Sequence, residues 1–240
     1  MKTIETCFSP ALFNYYKNNN NTVIIIDVLR ATTSICSALA AGASKIIPIS
    51  EIEDIPKFKQ IYDNTIIAAE REGIKISFAD LDNSPTSFKP ELVKNKTILY
   101  STTNGTRTIK LASKASKLLL ASFANLNTVI SFLLKSPDNL LLLCSGYKNQ
   151  FSLEDTLCAG AIASELLKSN TYSSNCDATY AAIDLWNLAK NNLIKYTEKA
   201  SHRLRLKNKI PFSVIEYCLT PNTINILPVY NNGEITNLLF

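Results

Sequence analysis

A three-layer α/β/α fold around a largely parallel or mixed sheet is the architecture this sequence predicts. Short apolar runs rich in Ile and Leu recur, as at residues 23–26, 46–49 and 140–143, and read as strands buried on both faces. Stretches with helical periodicity separate them, which is the pattern of crossover-connected strands. At 240 residues the chain is long enough for a substantial core, in one α/β unit or two closely packed lobes.

Residues 1–22 carry Phe8, Leu12, Phe13, Tyr15 and Tyr16, which suit a short strand or helix covering the first core strand. The polar run 18–21 reads as a turn. The strand at 23–26 enters Asp27-Val28-Leu29-Arg30-Ala31-Thr32-Thr33-Ser34, and a helix over 34–43 follows, closed by Gly42. Next come a strand at 44–49 ending near Pro48, a polar amphipathic helix over 51–62 and a strand at 65–69. That strand runs into Glu70-Arg71-Glu72-Gly73 and a loop holding Asp80, Asp82, Asn83, Ser84 and Pro85. Loops of about a dozen residues without apolar periodicity are more often functional than decorative. A helical turn at 90–93 and a strand at 97–100 lead into Ser101-Thr102-Thr103-Asn104-Gly105-Thr106-Arg107, which opens a helix through 115. The rest reads as strand 117–121, helix 125–135, strand 139–144, helix 152–167, a continuous helical pattern over 176–206 and a last strand at 224–230. The stretch 122–138 is the candidate boundary between lobes of roughly 1–125 and 126–240, with a site between them.

Composition narrows the function classes. A formal net charge of +5 without a basic block suits anionic small molecules and does not call for nucleic acid. No apolar run reaches membrane-spanning length, and no signal-peptide pattern opens the chain, so a cytoplasmic protein without membrane attachment is expected. Six scattered cysteines with no Cys-x-x-Cys read as reduced thiols, and a single histidine, His202, argues against zinc.

Four strand exits carry residues that bind phosphate or metal: 27–34, 70–85, 101–107 and 145–155. In open α/β sheets, ligands sit beyond strand ends where helix N-termini meet. Asp27 can hold a hard cation, while Arg30, Thr32, Thr33 and helix-starting amides can hold an anion. The plainer alternative is a helix cap with a surface ion pair. The Thr102–Thr106 nest, Thr102, Thr103, Asn104, Gly105 and Thr106, offers N–H groups to an anion, or is an ordinary helix start. Glu154 and Asp155, beyond Ser152, either complete a capping box or ligate a divalent cation shared with Asp27.

Several phosphatase and nucleotide signatures are absent. Leu29 stands where an Asp-x-Asp pair needs its second acid, and Gln150 stands where a cysteine phosphatase needs arginine after Cys144. No Gly-x-x-x-x-Gly-Lys or Gly-x-Gly-x-x-Gly occurs. His202, within Ser-His-Arg-Leu-Arg-Leu-Lys, reads first as a helix residue on a basic face. RNA binding by that segment is a weaker alternative without interleaved aromatics.

Taken in order, Asp27-Val-Leu-Arg-Ala-Thr-Thr33, Glu70-Arg71-Glu-Gly73, Asp80 with Asn83-Ser84-Pro85, Thr102-Thr-Asn-Gly-Thr106, Cys144-Ser-Gly146 and Phe151-Ser-Leu-Glu-Asp155 resemble the 2-phosphosulfolactate phosphatase family, known from coenzyme M biosynthesis. The likeness covers 23–160 and extends weakly through Ser201-His202 and Leu227-Pro228. It implies a Mg²⁺-dependent hydrolase acting on the phosphate monoester of a small 2-hydroxy acid, and a homodimer is compatible with it. On this reading Asp27, Glu154 and Asp155 hold the metal, and these three with Arg30 are catalytic. Arg71 and the Thr102–Thr106 amides neutralise substrate charge alongside Thr32 and Thr33, while Asp80, Asn83 and Ser84 line the opposite wall. One departure stands out: Asp82 occupies a position where the family has glycine, beside the expected anion site. A non-catalytic anion-binding or regulatory homologue is the competing reading.

Overall fold

The computed structural model describes residues 1–16 and 22–238, and the expected turn at 18–21 lies outside them. Eleven strands form one mixed sheet: β1 (Lys2–Cys7), β2 (Thr22–Ile26), β3 (Lys45–Pro48), β4 (Thr65–Arg71), β5 (Ile74–Lys75), β6 (Thr97–Ser101), β7 (Lys117–Ala121), β8 (Leu140–Cys144), β9 (Tyr172–Ser173), β10 (Pro228–Asn231) and β11 (Glu234–Asn237). The helices are α1 (Ala31–Ala40), α2 (Ile55–Ile61), α3 (Pro90–Val93), α4 (Gly105–Ala112), α5 (Leu126–Lys135), α6 (Leu153–Lys168), α7 (Asp177–Ala189), α8 (Leu193–Tyr196), α9 (Ser201–Leu206) and α10 (Phe212–Leu219).

The strand order is β5-β4-β6-β3-β11-β10-β7-β2-β8-β1-β9. Two parallel blocks, β4-β6-β3 and β7-β2-β8-β1, are joined by the β10–β11 hairpin, which pairs antiparallel with β7 and β3. Three antiparallel junctions in succession make the blocks run in opposite senses. A single last strand at 224–230 is what apolar patterning leads one to expect, whereas the structure has two. Asn232 and Gly233, at φ 49° and 91°, form the tight turn that folds a second strand back.

Alternation along the central strands sets the layers. Val23, Ile25, Leu118, Leu120, Leu141 and Leu143 face one side with Ile35 and Ala38 of α1 and Ile109 of α4. Ile24, Ile26, Leu119, Leu140 and Leu142 face the other, against Val129 of α5, Ile162 of α6 and Ile215 of α10. Ile46, Ile98 and Tyr100 of the β4-β6-β3 block reach the same core as α1, so both blocks press one face onto that helix. Residues 31–39 of α1 are all buried, which accounts for its lack of a polar face. β7, β2 and β8 come from both sides of residues 122–138 yet are adjacent, so the sheet has no seam there.

The helical pattern over 176–206 is broken where Asn192 leaves the helix at φ −158° and its side chain caps α8 by accepting from the Lys195 N–H. The element this exposes, α9, turns out to carry one wall of the site. No described helix is long and apolar enough to cross a membrane.

Candidate active site

Where β2 ends, Asp27 is held from both sides of its main chain. The Thr32 hydroxyl donates to the Asp27 carbonyl at 2.8 Å and accepts from its N–H at 3.1 Å. Thr33 Oγ1 donates to the Val28 carbonyl at 2.8 Å, and the Ala31 N–H reaches Asp27 Oδ1 at 3.3 Å. Thr32 and Thr33 thus shape the turn rather than line a cavity. Within this frame Arg30 sits at φ 148°, ψ −42°, a conformation L-residues seldom adopt. Such strain persists where surroundings over-determine it, characteristically at functional sites. The Arg30 guanidinium is 3% exposed, and its Nη2 lies 3.7 Å from Glu70 Oε2. Its Nε and Nη1 are buried without a partner. Buried donors of this kind call for an acceptor.

A cavity of ≈ 170 Å³ opens on Asp27, Arg30 and Glu70. Asn83, Thr102, Thr103 and Asn104 form one side, and Tyr147 stands at another. α9 and the turn after it contribute His202, Arg205, Leu206 and Lys209 to the lining. Within α9 the i, i+3, i+4 spacing of His202, Arg205 and Leu206 puts them on one face, and Lys209 lies in the turn beyond. Arg205 lies over the Tyr147 ring at 3.8 Å, and its Nε too is buried without a partner. Glu154, fully buried on α6, brings Oε1 to 2.7 Å from His202 Nδ1, while its Oε2 has no partner.

Burial raises the proton affinity of all three acids, and their neighbours decide the outcome. It pushes Asp27 up to about 6, against the pull of His202 and the Ala31 N–H and with help from the charges of Glu70 and Glu154. Burial also raises Glu154, but the hydrogen bond and charge of His202 outweigh it and hold the group below its ordinary value. Asp155 is driven well up by burial and by the charges of Glu154 and Asp27.

The start of α4 crowds against this centre. A Cβ on Gly105 would lie 2.5 Å from Ala31 Cβ and 3.0 Å from Asp27 Oδ2, so only glycine lets α4 and α1 begin side by side. Gly105→Ala is expected to cost about 1–3 kcal/mol through overpacking. By displacing Asp27 it should also slow turnover about a hundredfold. Thermal unfolding and a turnover assay of the variant check both.

The sequence profile of the 2-phosphosulpholactate phosphatase family matches residues 7–233. This chain belongs to that family. A probable 2-phosphosulfolactate phosphatase of Caldanaerobacter subterraneus subsp. tengcongensis is 38% identical over 213 residues, 88% of each chain. Another of Picosynechococcus sp. is 36% identical over 211 residues, 85% of this chain and 86% of its own.

Within this family member the sequence-predicted residues divide. Asp27, Arg30, Asn83, Thr102, Thr103 and Asn104 line one cavity, and Glu154 reaches it through His202. Arg71 turns away, its guanidinium held by the Glu70 and Ser50 carbonyls and Ser101 Oγ. Asp80 accepts the Ile67 N–H, and Ser84 Oγ meets Thr86 Oγ1, so both stabilise their loop. Thr106 Oγ1 donates to the Thr102 carbonyl while the Thr106 N–H reaches Thr102 Oγ1, a reciprocal helix cap. Both oxygens of Asp155 are taken by main-chain donors, Val28 N–H at 2.9 Å and Gly146 N–H at 3.1 Å, so it ties two strand exits together. Asp82 likewise caps its own turn, accepting from Ser84 N–H and Ser87 Oγ. Glu70, Tyr147, His202, Arg205 and Lys209 were not among the predicted site residues. His202 is a helix residue beside Arg205, as the sequence suggests, but its side chain is only 14% exposed and is paired with Glu154, which the sequence does not show.

Among the described residues, no group of three or more His, Cys, Asp and Glu side chains gathers as an all-protein metal cage. Mg²⁺ does not require one, since it is commonly bound by one or two carboxylates together with substrate oxygens and waters. The cavity-lining Asp27 and the unpartnered Oε2 of Glu154 suit that kind of site.

Proposed function

We propose that this protein is a Mg²⁺-dependent phosphatase hydrolysing the phosphate monoester of a small 2-hydroxy acid, such as 2-phosphosulfolactate, to the hydroxy acid and phosphate. The buried Arg30 guanidinium, with two unpaired nitrogens and lining the same cavity as Asp27, is the observation that carries this reading. The names of the family relatives support it. Arg30 binds the phosphoryl oxygens and neutralises charge that grows on them in the transition state. Arg205 and Lys209, which also line the cavity, bind the second acidic group of the substrate, taking the share of substrate charge that the sequence assigned to Arg71. Asp27 and Glu154 would hold Mg²⁺, which supplies polarisation of a phosphoryl oxygen and an acidified water. With Nδ1 engaged by Glu154, the remaining His202 nitrogen, Nε2, holds the proton passed to the leaving alkoxide on this reading.

A panel of 2-phospho acids assayed with Mg²⁺ and with chelator tests the reading. Phosphate release that needs Mg²⁺ and favours substrates with a second acid group is expected. Binding without release under every condition would leave the non-catalytic anion-binding homologue instead.

A further inference from the structure

Arg30 has a single charged partner among the described contacts, and that partner is fixed with unusual thoroughness. Glu70, at the end of β4, is 4% exposed. Its Oε1 accepts the Thr103 N–H at 2.8 Å, and its Oε2 accepts the Gly73 N–H at 2.6 Å. Both donors sit on rigid supports. Gly73 belongs to the two-residue turn between β4 and β5, with Glu72 at φ 52° and Gly73 at φ 85°. The Glu72 N–H reaches Thr103 Oγ1 at 2.9 Å, which fastens this turn to the segment before α4. Arg71 adds its bonds to Ser50 and Ser101 from the other side. The carboxylate therefore cannot rotate, and Oε2 is its edge toward Arg30 Nη2.

We propose that Glu70 is a positioning residue: clamped by the Gly73 and Thr103 amides, it fixes the Arg30 guanidinium so that Nε and Nη1 face the bound phosphoryl group. The inference rests on Arg30 being the phosphate-binding cation. A glutamine at 70 loses the charge, and because both carboxylate oxygens accept N–H donors, its amide nitrogen must confront one of them. Arg30 would keep its charge but lose its fixed aim.

The test is a double-mutant cycle read by calorimetric titration of inorganic phosphate, which does not depend on turnover. Glu70→Gln is expected to weaken phosphate binding about tenfold, in the range seen when residues supporting a binding group are removed. In an Arg30→Met background the same change should cost less than about twofold, since the residue it acts through is gone. Equal losses in both backgrounds would make Glu70 a general structural support and overturn the proposal while leaving the role of Arg30 standing. Unaltered phosphate affinity in Arg30→Met alone would remove both readings. Should Glu70→Gln unfold below the assay temperature, Glu70→Asp goes through the same cycle. It keeps the charge but is one methylene too short to hold both amides and reach Arg30.

Discussion

Asp27→Asn should fold, melt no lower than the wild type at pH 7, and release phosphate about a thousandfold more slowly or worse. Two consequences of one burial underlie this. Burial lifts the Asp27 carboxyl from 3.8 to about 6, with His202 and the Ala31 amide pulling it down and Glu70 and Glu154 pushing it further up. The unfolded chain gives up that proton at the lower pH, so between the two values the folded state binds more protons. Stability contributed at this position therefore falls as pH rises from 3.8 to about 6 and stays reduced above. The penalty is on the order of 2–3 kcal/mol. Asparagine keeps the acceptor for the Ala31 N–H and removes the buried charge. Melting curves of wild type and variant should coincide at pH 3, where Asp27 is neutral in both states, and separate in the variant's favour above pH 6. On the proposed function, the carboxylate is retained at that cost to serve the bound ion, a common trade of stability for function. A variant that melts lower at neutral pH, or that turns over normally, would show that Asp27 serves the fold alone.

What could be read from the sequence was set by range along the chain. The strand–helix alternation and the clustering of Asp27, Arg30 and Thr102 near strand exits follow from local patterns: apolar runs, a cap, a nest. The opposed blocks of the sheet do not, because they depend on where a C-terminal hairpin inserts between β3 and β7. Its signal was present, since Asn232-Gly233 is a strong hairpin dipeptide. Arg71 illustrates the other limit. Its neighbour Glu70 points into the cavity, and successive strand residues face opposite ways, so an alternation argument would have chosen the acid over the base. His202 and Arg205 stand three residues apart on one face of α9, a pattern legible in the sequence. What it faces is set by the break at Asn192 and by burial of Glu154 on α6, and both are tertiary.

Glu154→Gln should reduce phosphate release by about a hundredfold or more and raise the Mg²⁺ concentration needed for half-activity at least about tenfold. Its pH signature should be the reverse of Asp27's. Although burial opposes ionisation, the hydrogen bond and charge of His202 hold Glu154 below its ordinary value of 4.5. A carboxyl depressed in the folded state stabilises above its unfolded pKa and loses that contribution as pH falls. Glu154→Gln should thus melt below the wild type at neutral pH, and the gap should close as pH drops through 4.5 and beyond. Glutamine can still bond to Nδ1, so the loss should stay well short of the several kcal/mol that accompany an orphaned buried charge. The companion variant His202→Asn separates the two roles given to Glu154. If Glu154 acts on the ion, His202→Asn slows turnover but leaves the Mg²⁺ requirement unchanged. If Glu154 serves only to orient the imidazole, the two variants show the same Mg²⁺ dependence, and the cation must be held by Asp27 and the substrate without it.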